Sequence, residues 1–188
     1  MTDTWNNSAG CDVNMKNIVL VGFMGTGKTM AAKALARDMD KTYVSTDDLI
    51  EAREKKTIKD IFAENGEPYF RDVEKKVAKE ISKKTDQIVD AGGGIVLDGE
   101  NMKALREGGI IICLWADPAV IYQRTKQRAH RPLLNVEDPE KRIKELLNQR
   151  RRYYEKADFH IDTTDFDIDM IVDRIKRIVY DEGKKRKQ

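Results

Sequence analysis

Cysteine and long apolar runs are both scarce in this chain, and each scarcity removes a class of protein. Two cysteines among 188 residues cannot build a disulfide framework. Cys113 lies inside Ile110-Ile111-Ile112-Cys113-Leu114, where a small apolar side chain suits a core, whereas Cys11 lies in a polar leader. This usage fits a reducing compartment. No stretch reaches the roughly 18 apolar residues of a membrane helix, and Met1–Asn14 lacks the apolar centre of a secretory signal. The expectation is a cytoplasmic protein without a membrane partner. A surplus of one charge is missing too: 35 Lys and Arg face 33 Asp and Glu, a net +2, so no global field points to nucleic acid. Basic residues cluster only locally, at Arg124–Arg131, Arg150–Arg152 and Lys184–Lys187, and the last group reads as a solvated tail. With no linker long enough to separate two domains, the length fits a single domain able to bury a core.

What is present is concentrated early. Gly22-Phe23-Met24-Gly25-Thr26-Gly27-Lys28-Thr29 is a complete G-x-x-x-x-G-K-[ST] phosphate loop. The apolar run Ile18–Val21 precedes it and the helix-compatible stretch from Met30 follows. In that context the glycines let backbone N–H groups turn onto a polyphosphate, with the positive end of the helix dipole behind them. Lys28 would reach the β- and γ-phosphates and the Thr29 hydroxyl would meet Mg²⁺. Gly25, Thr26, Gly27, Lys28, Thr29 and Met30 are therefore the expected ATP-binding residues.

Short apolar runs predict strands over Ile18–Val21, Thr42–Thr46, Gln87–Ala91, Ile110–Trp115 and Phe159–Asp162. Helices are predicted over Lys28–Met39, Asp47–Lys55, Thr57–Asn65, Tyr69–Lys83, Gly99–Glu107, Ala119–Arg128, Pro139–Lys156 and Asp167–Tyr180. In the last of these, Ile168, Ile171, Val172, Ile175, Ile178 and Val179 recur at helical spacing. Alternating strands and helices predict an α/β fold, a five-stranded parallel sheet in a three-layer α/β/α domain over 16–180. Residues 1–15 read as a disordered leader or a vector-derived remnant, with Met15 an alternative start, and 181–188 as a basic tail. The basic, proline-containing stretch 126–138 lacks apolar periodicity and reads as an ordinary surface loop or, the favoured alternative, a mobile lid.

Further motifs narrow the chemistry. Ser45-Thr46-Asp47-Asp48 follows the second strand, and Phe62-x-x-x-Gly66-Glu67-x-x-Phe70-Arg71 places an arginine beside an aromatic. Gly92-Gly93-Gly94 follows the third strand, where bare backbone can approach a small ligand. Arg131-Pro132-Leu133-Leu134 and Leu146-Leu147-Asn148-Gln149-Arg150 complete the series. In this order and at these distances the motifs resemble the shikimate kinase family, from about Lys16 to Val179.

The resemblance implies a P-loop fold like that of nucleoside monophosphate kinases, with a lid and a substrate-binding helical segment over about 47–83. It implies ATP- and Mg²⁺-dependent phosphorylation of the 3-hydroxyl of shikimate, on the way to chorismate and the aromatic amino acids. Arg71 and Arg150 match the family's carboxylate-binding arginines, a role suited to the planar guanidinium fork. Asp47 matches the acid that holds the ring hydroxyls and is placed to orient or deprotonate the 3-OH. Lys28 and Arg131 join it as catalytic residues, Gly93 and Gly94 would offer backbone N–H groups, and Phe62 and Phe70 would wall the ring. Arg124 resembles the residue that stacks on adenine, with Arg128 close enough to compete. Asp48 fits the helix N-cap, which leaves Asp47 for substrate. Tyr153, Tyr154 and Trp115 read as packing residues. The working unit is expected to be a monomer.

Two positions depart from the family pattern. Many relatives carry Asp-x-Asp after the second strand, the first Asp touching the Mg²⁺ hydration shell, and here that position is Ser45. Asp90 stands two residues before Gly92-Gly93-Gly94, where many relatives have a small or hydroxyl residue. The expectation is that the missing carboxylate has moved to Asp90, acting on the metal through water. Other acceptors on this scaffold, or a non-catalytic ATP-binding module, are the competing readings.

Overall fold

The strands form where apolar side chains alternate between two buried faces. In β1 (Asn17–Val21) every residue is buried. Val19 and Val21 pack into one core and Ile18 and Leu20 into the other, the period-2 signature of a strand covered on both sides. β2 (Thr42–Ser45), β3 (Gln87–Asp90), β4 (Gly109–Trp115) and β5 (Phe159–Asp162) complete a parallel sheet ordered β2-β3-β1-β4-β5. The computed structural model describes residues 16–126, 136–165 and 167–185.

The helices are α1 (Lys28–Asp38), α2 (Thr46–Glu54), α3 (Ile58–Ile81), α4 (Gly99–Gly108), α5 (Pro118–Thr125), α6 (Pro139–Tyr154) and α7 (Ile168–Lys185). Alanines and Leu35 of α1 meet Ile171, Val172, Ile175 and Val179 of α7 on one face of the sheet. Residues of α3, α4 and α6 cover the other face, around Val89, Ile111 and Cys113. Cys113 is fully buried, and burial pushes its thiol up to about 12, so it is an inert core residue.

Predicted and observed elements agree to within a few residues, with instructive exceptions. The two helices expected over Thr57–Asn65 and Tyr69–Lys83 run together as α3, broken at Gly66, whose φ of 78° and ψ of 172° are not helical. Pro68 is tolerated because it sits in the first turn after that break. α7 continues to Lys185, through the first residues of the stretch expected as tail. The expected helix from Ala119 is observed from Pro118 and described as far as Thr125. Most of the stretch read as a lid, with Arg128 and Arg131, lies outside the described residues, as do 1–15.

The strand order positions the site. β1 and β3 are neighbours, with Leu20 opposite Asp90, so the segments leaving their carboxyl ends lie side by side. β2 flanks β3 with Ser45 in register with Asp90. In an open parallel sheet, ligands bind in the crevice outside these carboxyl ends.

Candidate active site

The loop between β1 and α1 is shaped by its glycines. Gly22, Gly25 and Gly27 have φ values of 142°, 79° and 95°, which L-residues rarely adopt. Thr26, nearly fully buried, folds back so that its hydroxyl donates to the Phe23 carbonyl at 2.8 Å. Thr163, at the end of β5, donates to the Thr26 carbonyl at 3.0 Å and braces the loop from behind. Lys28 Nζ donates to the Phe23 carbonyl at 3.1 Å. The N-terminus of α1 has no side-chain cap and no acid in its first turn, unlike α2, α3, α4 and α6. Its N–H groups and dipole are thereby kept for an anion.

The loop opens onto a cleft of about 940 Å³, which brings together every predicted site residue among those described. On its floor, Thr29 Oγ1 donates to Asp90 Oδ2 at 2.6 Å, and the Tyr43 hydroxyl donates to the same oxygen at 3.3 Å. Burial first, and Asp90 next, push the Tyr43 phenol up to about 12, so it is always a donor here. Ser45 does not join this group. Its hydroxyl accepts from the Asp48 N–H at 3.1 Å and caps α2, which corrects the expectation that Asp48 is the cap. The helix starts one residue early because β2 ends at Ser45, and both aspartates lie in its first turn.

Asp47 faces the cleft beneath the Gly92-Gly93-Gly94 turn. Burial raises its carboxyl above the ordinary carboxylate range, Lys28 opposes the rise, and Asp90 adds to it. The three glycines serve a purpose that sequence did not disclose. A Cβ on Gly92 would lie 2.5 Å from Asp47 Oδ1, and one on Gly94 would lie 2.6 Å from Arg71 Nη1. None of the three has positive φ. Gly92 and Gly94 are glycine because these two polar side chains occupy the space a side chain would need. The turn is held from the other side by Tyr154, whose hydroxyl donates to the Gly93 carbonyl at 2.8 Å. Tyr154 is thus more than a packing residue; burial pushes its phenol up to about 12 against the pull of Arg150.

Arg71 is fixed by two carboxylates that the sequence reading missed. Nη1 pairs with Glu74 at 2.7 Å, and Nη2 with Glu67 at 2.9 Å. Glu74 is only 1% exposed; burial raises its carboxyl, and Arg71 opposes that. Spacings of i+3 and i−4 on one helix were a visible signal for both partners. Phe70 lies beneath the guanidinium at 5.2 Å and against Phe62 at 4.7 Å between centroids, so both predicted wall aromatics meet. Arg150, from α6, lies 5.9 Å from the Phe23 ring.

At the far end, Arg124 donates to the Thr163 carbonyl at 2.7 Å. Asp167, Ile168 and Ile171 line that end as well, also unanticipated. Asp167 caps α7, accepting from Met170 N–H at 2.9 Å. Met30, predicted to bind ATP, lies on the cleft margin and is 58% exposed.

A phosphate loop after the first strand of this sheet, opening onto a pocket of acid and arginine, defines the class as a P-loop kinase. The chain belongs to the shikimate kinase family, whose profile matches residues 24–180. The shikimate kinase of Thermodesulfovibrio yellowstonii is 48% identical over 161 residues, 86% of this chain and 93% of that protein. That of Caldanaerobacter subterraneus subsp. tengcongensis is 43% identical over 163 residues, 87% of this chain and 95% of that protein. Among solved structures, the shikimate kinase from Acinetobacter baumannii in complex with shikimate superposes with a TM-score of 0.84 at 31% identity, covering 89% of this chain and 94% of that one.

Proposed function

We infer that this chain transfers the γ-phosphoryl group of ATP to the 3-hydroxyl of shikimate, giving shikimate 3-phosphate and ADP on the route to chorismate and the aromatic amino acids. The observation that carries this reading is the meeting of Asp47 and Arg71 around one glycine turn beside the phosphate loop. Shikimate carries a carboxylate and three hydroxyls on a small ring. Arg71 and Arg150 bind the carboxylate, Asp47 receives the 3-hydroxyl, and Phe62 and Phe70 wall the ring. Gly93 and Gly94 turn backbone toward it. Gly25 to Met30 take the triphosphate, Lys28 neutralises the transferring group, and Arg124 lies along the adenine. Phosphoryl transfer asks a protein mainly for positioning and charge compensation, which these groups supply. Arg131, the remaining catalytic candidate, lies outside the described residues.

The residues also fit Mg²⁺, which prefers hard oxygen donors, keeps several waters and shares phosphate oxygens. Thr29 and Asp90 offer a hydroxyl and a carboxylate at the phosphate end of the cleft. Among the described residues no cluster of three or more His, Cys, Asp or Glu could hold a metal, so no all-protein cage competes with that arrangement. When bound, Mg²⁺ offsets charge on the β- and γ-phosphates. The same reading takes the working unit as a monomer, and ATP as co-substrate supports a cytoplasmic setting. Among the described residues no helix is long and apolar enough to cross a membrane.

ADP release coupled to a spectroscopic reporter tests the assignment. ATP turnover is expected only when shikimate is added, and gluconate or a nucleoside monophosphate should give background. Turnover that ignores shikimate, or prefers another acceptor, overturns it.

The glycine turn gives a second test. Gly92→Ala and Gly94→Ala should each lower kcat/KM for shikimate by roughly 10- to 100-fold, because displacements near 1 Å cost about that much. The KM for ATP should hold. At Gly93 a Cβ would stand 3.4 Å from the Gly22 carbonyl, an ordinary contact, so Gly93→Ala should be the mildest of the three. If Gly93→Ala is instead the most damaging, room for Asp47 and Arg71 is not what requires glycine in this turn.

A further inference from the structure

We propose that Thr163 is a positioning residue for the nucleotide, its hydroxyl fixing the Thr26–Gly27 peptide of the phosphate loop with the Gly27 N–H turned toward the anion. This rests on the reading of the loop as a nucleotide site and extends it to a residue outside the loop. Thr163 follows β5 directly and is fully buried. A buried hydroxyl needs a partner for its proton, and it has only one proton to give. Two carbonyls lie within reach, that of Thr26 at 3.0 Å and that of Trp115 at 2.8 Å. The Trp115 carbonyl already accepts the Thr163 N–H at 2.7 Å, which continues the pairing of β4 with β5. No other described residue donates to the Thr26 carbonyl. Leaving that carbonyl unpaired costs more than withholding a second donor from one already paired. The proton goes to Thr26.

That assignment decides which way a peptide faces. The Thr26 carbonyl and the Gly27 N–H belong to one planar trans unit and point to opposite sides. With the carbonyl drawn back against Thr163, the N–H turns away from β5, toward the cleft that Gly27 lines. No described residue accepts from it. Sterics alone do not hold this arrangement. Gly27 has a φ of 95°, and half a turn of the peptide would carry it to the negative side, which any residue adopts. The turned peptide would present the negative end of its dipole to the phosphates. Thr163 opposes that turn, and Arg124 supports Thr163. Arg124 Nη1 lies 3.4 Å from the hydroxyl oxygen, and Nη2 donates to the Thr163 carbonyl at 2.7 Å. A cation donating to a hydroxyl oxygen makes its proton a stronger donor.

Calorimetric titration with ADP and with inorganic pyrophosphate, beside amide NMR spectra of labelled protein, tests this without shikimate or turnover. Thr163→Val keeps the branched shape and loses the hydroxyl. It should weaken ADP and pyrophosphate alike, each by about 10- to 100-fold, the worth of one hydrogen bond to a charged group. Equal loss is required because pyrophosphate carries the phosphates and no base. Thr163→Ser keeps the hydroxyl and should bind both ligands within a few-fold of wild type. A packing role predicts the reverse order, since Ser lacks the methyl that Val retains. The Gly27 amide resonance should move downfield when wild type binds either ligand, and should move less in Thr163→Val.

Wild-type affinity for both ligands in Thr163→Val overturns the proposal. So does a loss confined to ADP, which would put the effect of the hydroxyl at the base end with Arg124. Should Thr163→Val fail to fold, the wild type decides: a Gly27 amide moved downfield by pyrophosphate supports the proposal, and an unmoved one refutes it. The kinase reading fails separately. Wild type that binds ADP with the expected Gly27 shift but does not phosphorylate shikimate sinks the acceptor assignment and leaves Thr163 in place.

Discussion

Asp47→Asn is expected to lower kcat for shikimate by about 10²- to 10⁴-fold, the range for a group that transfers a proton in the transition state. ADP affinity should be unchanged, because Asp47 serves the acceptor hydroxyl. Burial is the largest cause of its raised carboxyl, with Lys28 opposing and Asp90, Asp48 and Glu51 adding to it. A base with raised affinity for its proton loses activity sooner as pH falls, so the acid limb of kcat should lie above the ordinary carboxylate range. The stability consequence has the opposite sense. Because the folded state holds this proton more tightly than the unfolded chain, the ionised group opposes folding above its folded pKa, and the opposition fades as pH falls through it. Asn removes that opposition. Tm at neutral pH, measured by calorimetry, should therefore hold or rise while kcat collapses. A kcat within a few-fold of wild type, or a Tm that falls in step with activity, would reduce Asp47 to a structural residue.

The sheet was legible because its signal is local: apolar runs bounded by turns, separated by helical periodicity. β5 falls on its predicted residues and β3 ends one residue early, at Asp90. The break at Gly66 was legible as a gap between two helical stretches. The cap of α2 was misassigned by a three-residue shift, since Ser45, Asp47 and Asp48 are all competent caps and only the end of β2 decides among them. The reason for the glycine turn was not legible at all. It depends on where Asp47 and Arg71 arrive from two other helices, and no local spacing encodes that. Glu74 lies between these cases. Its spacing from Arg71 was visible, but its burial, which makes the pair consequential, comes only from packing against the core.

That burial separates two effects that Arg71→Ala would otherwise confound. Truncating one partner of a buried, hydrogen-bonded charge pair costs about 2–5 kcal/mol in binding. At 1.4 kcal/mol per decade this is roughly 30- to 4,000-fold in kcat/KM for shikimate. Arg71→Ala also strands Glu74, and an uncompensated buried charge costs about 3–5 kcal/mol of stability. Glu74, already raised by burial, would then lose the opposing pull of Arg71 and hold its proton to still higher pH. The stability defect should therefore shrink on acidification, as the carboxyl neutralises. Arg150→Ala is the contrast. The aromatic ring it faces carries no charge to strand, so its kcat/KM should fall comparably with little change in Tm. Adding Glu74→Gln to Arg71→Ala should recover most of the lost Tm and none of the lost kcat/KM, because the carboxamide needs no cation and cannot bind a carboxylate in place of arginine. Denaturant melts of the single and double variants beside initial rates at subsaturating shikimate make the comparison. Recovery of both quantities in the double variant would mean that Arg71 serves only the fold. An Arg71→Ala enzyme with near-normal kcat/KM would move the carboxylate site elsewhere.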